Sequence, residues 1–261
     1  MRRRTDVVVL CYHAVSDTWP IGMAIRPASL ERHVRWLLEH GYEPATFHDA
    51  VVAPSAPRTF ALTFDDAWAS IFEHGFPVLS ALGVPATVFT LTDAPGPPVR
   101  RLRGPILEPL VGGPHEHELM PMSWDQLRTL QDAGWEIGSH TRSHPFLTTV
   151  DDDRLGDELA ASKLRCEEML GRPCRTIAYP SGDFDARVVR FARAAGYAVA
   201  GTLPVRFDRD PDPLAYPRVS IQRDDSIRTF ATKVSRVTRL VRTTALWPAL
   251  ERARRARPRF S

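Results

Sequence analysis

Cysteine is scarce in this 261-residue chain. Its three cysteines, Cys11, Cys166 and Cys174, are odd in number and form no Cys-x-x-Cys pair. That excludes a disulfide framework and a thiolate zinc site, and a reducing, cytoplasmic location is the expectation. Long apolar runs are missing too. No stretch approaches the roughly 18 residues of a membrane span. The start Met1-Arg2-Arg3-Arg4 is followed only by the apolar run 7–10. That run is too short for a secretory signal and reads as a buried first strand. Lysine is nearly absent: Lys163 and Lys233 are the only two, so arginine carries almost all the positive charge behind a net balance of +3. No Gly-rich phosphate loop follows an early strand, which argues against a doubly wound nucleotide-binding sheet.

What is present is an alternation of apolar runs and helical patterns. Residues 7–12, 59–64, 86–91, 135–139, 175–179, 197–202 and 216–221 read as strands. Helices are expected at 27–40, where Leu30, Val34, Leu37 and Leu38 fall at helical spacing, and at 71–82, 151–170 and 186–195. Ser123-Trp124-Asp125-Gln126 fits a capping box that opens another helix, ending near Gly134. Residues 93–122 are rich in Pro and Gly and read as a long irregular loop. Strand–helix alternation of this kind predicts a parallel sheet with helices outside, and about seven units favour closure into a barrel. In such a barrel the active site lies at the C-terminal ends of the strands.

Two features at those ends carry chemistry. Leu62-Thr63-Phe64-Asp65-Asp66 places adjacent carboxylates at a strand end. They read either as an N-cap of the following helix or as working groups. Adjacent side chains in extended chain point to opposite sides, which suits two acids to two tasks, one on a metal and one on a water. Ser139-His140-Thr141-Arg142-Ser143-His144 places two histidines four apart, just after a strand. On a single helical turn two imidazoles so spaced reach one ion. The alternative is a chance surface pair among the nine histidines of the chain. Two histidines and a carboxylate are a frequent donor set for catalytic zinc, with positions left open for water and substrate.

Thr63-Phe64-Asp65-Asp66 followed by His140-Thr141 and His144 resembles the signature of the polysaccharide deacetylases, also known as carbohydrate esterase family four or the NodB-homology domain. Trp124-Asp125-Gln126-Leu127, Gly134-Trp135-Glu136-Ile137-Gly138-Ser139, Ser143-His144-Pro145 and Leu147 look like the second motif and its lead-in. Glu158-Leu159 and Ser162-Lys163 resemble the helix after it, Ala178-Tyr179-Pro180-Ser181-Gly182 the third motif, and Ala195-Gly196-Tyr197 its sequel. The resemblance spans roughly residues 7–225. It implies an α/β fold, a distorted (β/α)7 TIM-like barrel, with a catalytic domain over 1–225 and a basic helical tail over 226–261 that belongs to it or packs on it. The activity implied is hydrolysis of the N-acetyl group of an amino sugar in a poly-, oligo- or lipid-linked saccharide. Asp65 is then the catalytic base. Asp66, His140 and His144 are ligands of a divalent metal, zinc first, with cobalt, nickel or manganese as other candidates. An oxyanion donor is implied in Tyr179-Pro180-Ser181. Proline has no N–H, so that donor would be Tyr179 or Ser181.

The chain departs from the family pattern at three points. Ala67 stands where many members have Gly, a small change unless the backbone there needs a positive φ. Ala178 stands where many carry an Arg that orients the base, which leaves Arg175 or Arg218 to replace it in space. No His follows His144, so the general-acid His of the usual last motif is missing. His13, in Cys11-Tyr12-His13-Ala14-Val15, resembles the Tyr-His-x-Val opening of one branch of the family. First and last strands of a closed barrel are neighbours, so His13 is the expected replacement acid, or else a structural histidine at the barrel mouth. Asp183 and Asp185 read as turn and cap residues, and His115 and His117 as solvated loop histidines.

The C-terminal tail has ten basic residues and one acid, Glu251, between Arg228 and Arg259. Ile227, Phe230, Val234, Val237, Leu240 and Val241 form an apolar stripe at helical spacing. The stripe fits a last helix packed on the barrel, or a basic amphipathic element resting on anionic lipid. Nucleic-acid binding is not expected, because the arginines lack an aromatic stacking platform. Two other functions fit the sequence: hydrolysis of a non-sugar amide, and a non-catalytic carbohydrate-binding homologue, against which the intact Asp65, Asp66, His140 and His144 set argues.

Overall fold

A computed structural model describes residues 6–96, 101–102 and 107–247. Strand β1 (Asp6–Tyr12) leads into two short paired pieces, β2 (Ala14–Val15) and β3 (Ala24–Ile25), and then α1 (Pro27–Glu39). β4 (Glu43–Ala45), α2 (Phe47–Val52) and β5 (Arg58–Phe64) follow. A π-turn (Ile71–Gly75) runs into α3 (Phe76–Ala81), and β6 (Thr87–Thr90) comes next. Beyond the long loop lie α4 (Trp124–Asp132), β7 (Glu136–Ser139), α5 (Asp152–Leu170), β8 (Thr176–Ala178), α6 (Ala186–Ala194) and β9 (Val199–Thr202). β10 (Tyr216–Pro217), β11 (Val219–Ser220), α7 (Ile227–Val234) and α8 (Arg236–Val241) complete the order.

The strands and helices expected from the sequence are present with ends shifted by a few residues, except that the last helix is broken at Ser235 into α7 and α8 and the strand at 216–221 is split. Local chemistry sets those ends. Ser123 and Gln126 form the full reciprocal capping box of α4, and Gly171, at φ 66°, closes α5 in the left-handed conformation that glycine tolerates. β2, β3, β4 and α2 were not expected, because runs of two to six residues are too short to show a period.

The strand expected at 216–221 is split. Tyr216 and Pro217 pair with β9, whereas Val219 and Ser220 pair with β1 on the far side. One segment thus bridges the two edges, and the path β10-β9-β8-β7-β6-β5-β1-β11 becomes a nearly closed parallel barrel. Because β10 and β11 share one position, its eight segments form the distorted seven-fold barrel expected. β4 lies off this path, paired with the first half of β5.

Alternation along the strands decides what faces inward. Val8, Leu10, Phe60, Leu62, Ile137, Ile177 and Ala200 belong to the outer core with the helices. Val9, Ala61, Phe89, Ala178 and Val199, drawn from five strands, form an inner cluster with Phe47 of α2. Below it, Glu136 accepts hydrogen bonds from Thr87, Thr176 and the His48 N–H. Following the same parity upward, Cys11, Thr63, His140, Gly201 and Arg218 come next, and then His13 and Asp65 at the mouth.

Register aligns those last residues. β1 and β5 pair from Asp6 opposite Arg58 to Tyr12 opposite Phe64, and the Asp65 N–H extends the ladder onto the Tyr12 carbonyl at 3.0 Å. His13 and Asp65 therefore leave the barrel side by side. On the other side the His140 N–H extends the β6–β7 ladder onto the Thr90 carbonyl at 2.8 Å. After the barrel, α7 buries Phe230 and Val234, and Phe230 stacks on His33 of α1 with ring centroids 4.0 Å apart. The arginine-rich start, and the part of the expected basic tail from 248 to 261, lie outside the described residues.

Candidate active site

Arg218 sits at the break between β10 and β11 and points into the barrel. Its Nη1 donates to Asp65 Oδ1 at 2.6 Å and its Nη2 to Asp65 Oδ2 at 2.8 Å. Nη1 also donates to Thr63 Oγ1 at 3.0 Å, and the guanidinium lies 5.4 Å from the centroid of the Phe89 ring beneath it. Gly201 makes room for it: a Cβ there would lie 2.6 Å from Arg218 Nε. Of the two arginines that could replace the missing one, it is therefore Arg218 that meets Asp65, while Arg175 is exposed. Burial by itself pushes the Asp65 carboxyl up, but the Arg218 charge and hydrogen bonds, with His140 and His13 nearby, hold it well below the usual carboxylate range. Asp65 is thus a buried carboxylate that rests ionised at neutral pH. Cys11 adds a third partner, its Sγ donating to Asp65 Oδ2 at 3.4 Å. Burial pushes that thiol up, so it stays an S–H donor.

Asp66 turns the other way. Its Oδ1 lies 3.5 Å from His140 Nε2 and 3.7 Å from His144 Nε2. Those two separations are the ones expected around a shared ion with bonds of about 2 Å, and all three donor atoms fall within 4.8 Å of one another. His140 Nδ1 is 2.8 Å from the Ala178 carbonyl, which can only accept. The proton therefore sits on Nδ1 and leaves the Nε2 lone pair free for an ion. Burial is the main cause that holds His140 neutral, with its pKa pushed down to about 4. Trp68 Nε1 donates to Asp66 Oδ2 at 3.2 Å and orients the carboxylate. These residues fit a divalent metal.

Two local readings of the sequence need correction. Asp65 and Asp66 do not cap the following helix, since the helical run begins with the π-turn at Ile71. Between them lies a turn in which Asp66 and Ala67 both have positive φ, 70° and 52°. The two histidines do not share a helical turn either. Residues 140–144 form a loop, with Thr141 at φ 68° and His144 at φ 63°. Among the described residues only five non-glycines have positive φ: these four and Ser181, at 56°. Each costs roughly 1–2 kcal/mol over the right-handed form, so the strain is concentrated at the site.

Neighbouring segments hold these turns in place. The long loop returns across the first: the Ala69 N–H donates to the Met120 carbonyl at 2.8 Å, and the Met122 N–H to the Ala67 carbonyl at 2.7 Å. Buried Glu158 of α5 holds the second, accepting from the Arg142 N–H at 2.9 Å and the Ser143 N–H at 3.0 Å. Cys11 and Trp68 were not foreseen as parts of the site, and no motif marks them.

The family profile for polysaccharide deacetylase matches residues 53–200. The chain belongs to the polysaccharide deacetylase family. It is 25% identical over 234 residues to YxkH of Bacillus subtilis, which carries the same family name, covering 87% of this chain and 75% of that one. A poly-β-1,6-N-acetyl-D-glucosamine N-deacetylase of Staphylococcus epidermidis is 23% identical over 215 residues, covering 77% and 69%. Among solved structures, the Streptococcus pyogenes deacetylase PplD superimposes with a TM-score of 0.72 over 88% of this chain and 98% of that one, at 19% identity, and so shares the fold.

As a member of this family the chain has three further positions to account for. Tyr179 is not the oxyanion donor, because its N–H is committed to the Gly201 carbonyl at 3.1 Å. Its hydroxyl points inward to the Leu214 carbonyl at 2.9 Å. Pro180 has no N–H, which leaves exposed Ser181, held at positive φ in the turn Pro180–Gly182. His13 is half-buried beside Asp65: one ring nitrogen lies within 4.8 Å of both Cys11 Sγ and an Asp65 oxygen, and its buried Nδ1 has no hydrogen-bond partner among the described residues. Tyr12 is a worse acid than free tyrosine, since burial pushes it up, and its hydroxyl contacts His33 Nδ1 at 3.3 Å instead. Asp185 caps α6 and Asp183 holds Thr148. His117 is largely exposed on the long loop, 3.9 Å from Glu118.

The Gly201 contact yields a test. In Gly201→Ala the new methyl must displace Arg218 from Asp65. Deacetylase turnover should fall on the order of tenfold, about 1.4 kcal/mol of barrier, with metal content unchanged. Unaltered turnover in the folded variant would mean that Arg218 does not orient the base.

Proposed function

We propose that this chain hydrolyses the N-acetyl group of an amino sugar within a saccharide chain, releasing acetate and leaving a free amine. The observation that carries this reading is the separation of two carboxylates by one turn. Asp65 is ionised and clamped by Arg218, while Asp66 converges with His140 and His144. The Staphylococcus epidermidis relative, named for poly-β-1,6-N-acetyl-D-glucosamine, supports the substrate class.

In this reading Asp66, His140 and His144 would hold zinc, which when bound would supply Lewis-acid polarisation of the acetamide carbonyl and a more acidic water. Asp65 takes a proton from the attacking water as its oxygen bonds to the carbonyl carbon. Arg218 fixes the carboxylate so that its free lone pairs face the mouth. The Ser181 N–H donates to the oxygen that gains negative charge. His13 then gives a proton to the sugar nitrogen as the C–N bond breaks, so that the amine leaves neutral.

The purified protein is expected to hold about one zinc per chain, and His140→Ala to lose it. Asp65→Asn should keep the metal but lose turnover on the order of 10²-fold or more, because an amide cannot accept the proton. Elemental analysis and acetate release from N-acetylated oligosaccharides decide both. Equal zinc in the parent and His140→Ala, or near-parental turnover in Asp65→Asn, contradicts the assignment.

A second expectation isolates His13. His13→Ala should depress amide hydrolysis strongly and keep its metal. It should spare an activated aryl acetate, whose phenolate leaves without a proton. Equal losses on both substrates would remove His13 from the role of acid.

A further inference from the structure

Among the described residues, five of the large exposed apolar side chains gather around α8. Val237, Leu240 and Val241 on α8 are 71%, 54% and 37% exposed, Leu246 just beyond is 72%, and Val205 is 51%. Spacing of three and four residues puts the α8 members on one face, and α8 buries no residue of its own. The turns Thr244 N–H to Val241 carbonyl and Trp247 N–H to Thr244 carbonyl fold Leu246 back toward the helix end. Arg242 Nη2 donates to the Pro204 carbonyl at 2.8 Å, and the Phe207 N–H to the Arg242 carbonyl at 3.0 Å, which draws Val205 to the same place. A large exposed apolar cluster of this kind marks an interaction surface.

Its rim is cationic. Arg206, Arg209, Arg228 and Arg236 are exposed and have no carboxylate partner among the described residues. Asp208, Asp210 and Asp212 are the acids on the adjoining loop, the last of them paired with Arg193. Between Arg228 and Arg242 the sequence has five basic residues and no acid, and beyond Trp247 it adds five arginines against Glu251. Unpaired arginines around exposed aliphatic side chains match a bilayer with anionic headgroups. The aliphatic groups enter the acyl boundary, and the guanidinium groups meet phosphate.

We propose that this face is a peripheral docking surface for anionic membrane. α8 lies along the barrel flank, since Arg239 ties it to Asp6 and Val7 at the start of β1, whereas Arg242 reaches Pro204 just past the end of β9. Docking through this flank lays the barrel on its side, with the mouth opening along the bilayer surface. The glycan presented to it is then one still attached to the membrane. Only that last clause rests on the deacetylase reading.

The test is flotation of the full chain with vesicles of phosphatidylcholine alone or with phosphatidylglycerol added, at low and high salt. The parent should associate about tenfold more with the anionic vesicles, and high salt should weaken this. Val237→Asp combined with Leu240→Asp should abolish the association. The same variant should release acetate from a soluble N-acetylated oligosaccharide at the parental rate, which shows that fold and site are intact. Absence of acetate release from both proteins would count against the proposed activity and leave the vesicle result to stand alone. Equal association with neutral and anionic vesicles, or none at low salt, overturns the proposal. So does a parent that is dimeric where the variant is monomeric, with no vesicle binding, because the face then belongs to a second copy.

Discussion

The bidentate pair between Asp65 and Arg218 is the interaction on which the rest of the site depends. Neither charge could be buried alone at the centre of a barrel without a cost of several kcal/mol. Arg218 lies over Phe89, its guanidinium 5.4 Å from the ring centroid; Gly138 leaves room for that ring and Gly201 for the Arg218 side chain. Arg218 comes from the break between β10 and β11. The segment that nearly closes the barrel is thus also the one that ionises and orients the carboxylate contributed by β5. Closure and chemistry are linked through one side chain.

With Asp65 committed to Arg218, its neighbour is free for a different task. Extended chain would send Asp66 outward, away from the barrel axis. The left-handed turn at Asp66 and Ala67 instead swings it toward His140 and His144. This explains why strain gathers here. Backbone in an unfavourable conformation persists only where its surroundings over-determine it. The loop residues Met120 and Met122 clamp the first turn, and Glu158 clamps the histidine loop. The end of the long loop, at Met120 and Met122, is thereby part of the scaffold of the site.

Much of this was legible in the sequence, for identifiable reasons. Strands and helices long enough to show a period were found, and their placement led to Asp65, Asp66, His13 and His140 at strand ends. The missing information was parity across distant pairings. Arg218 faces inward because Val219 pairs with the outward-facing Leu10, and nothing in the local sequence Pro217-Arg218-Val219 reveals that register. The same gap hid Cys11, whose position beside Asp65 follows from the in-register pairing of β1 with β5. The histidine spacing singled out the two imidazoles that converge on Asp66, but through an incorrect geometry. Four residues span one helical turn, but they also span a loop bent by two left-handed residues. Tyr179 failed as a donor for a related reason: its N–H was already committed to the neighbouring strand.

In the proposed mechanism Arg218 acts on the reaction through Asp65 alone. A double-mutant cycle on acetate release tests this most directly, using Asp65→Asn, Arg218→Met and the pair, with metal content measured in all four proteins. Arg218→Met is expected to slow the parent strongly, to add almost nothing once Asp65 is Asn, and to leave metal content unchanged throughout. Independent, additive losses would contradict this, as would loss of metal on removing Arg218.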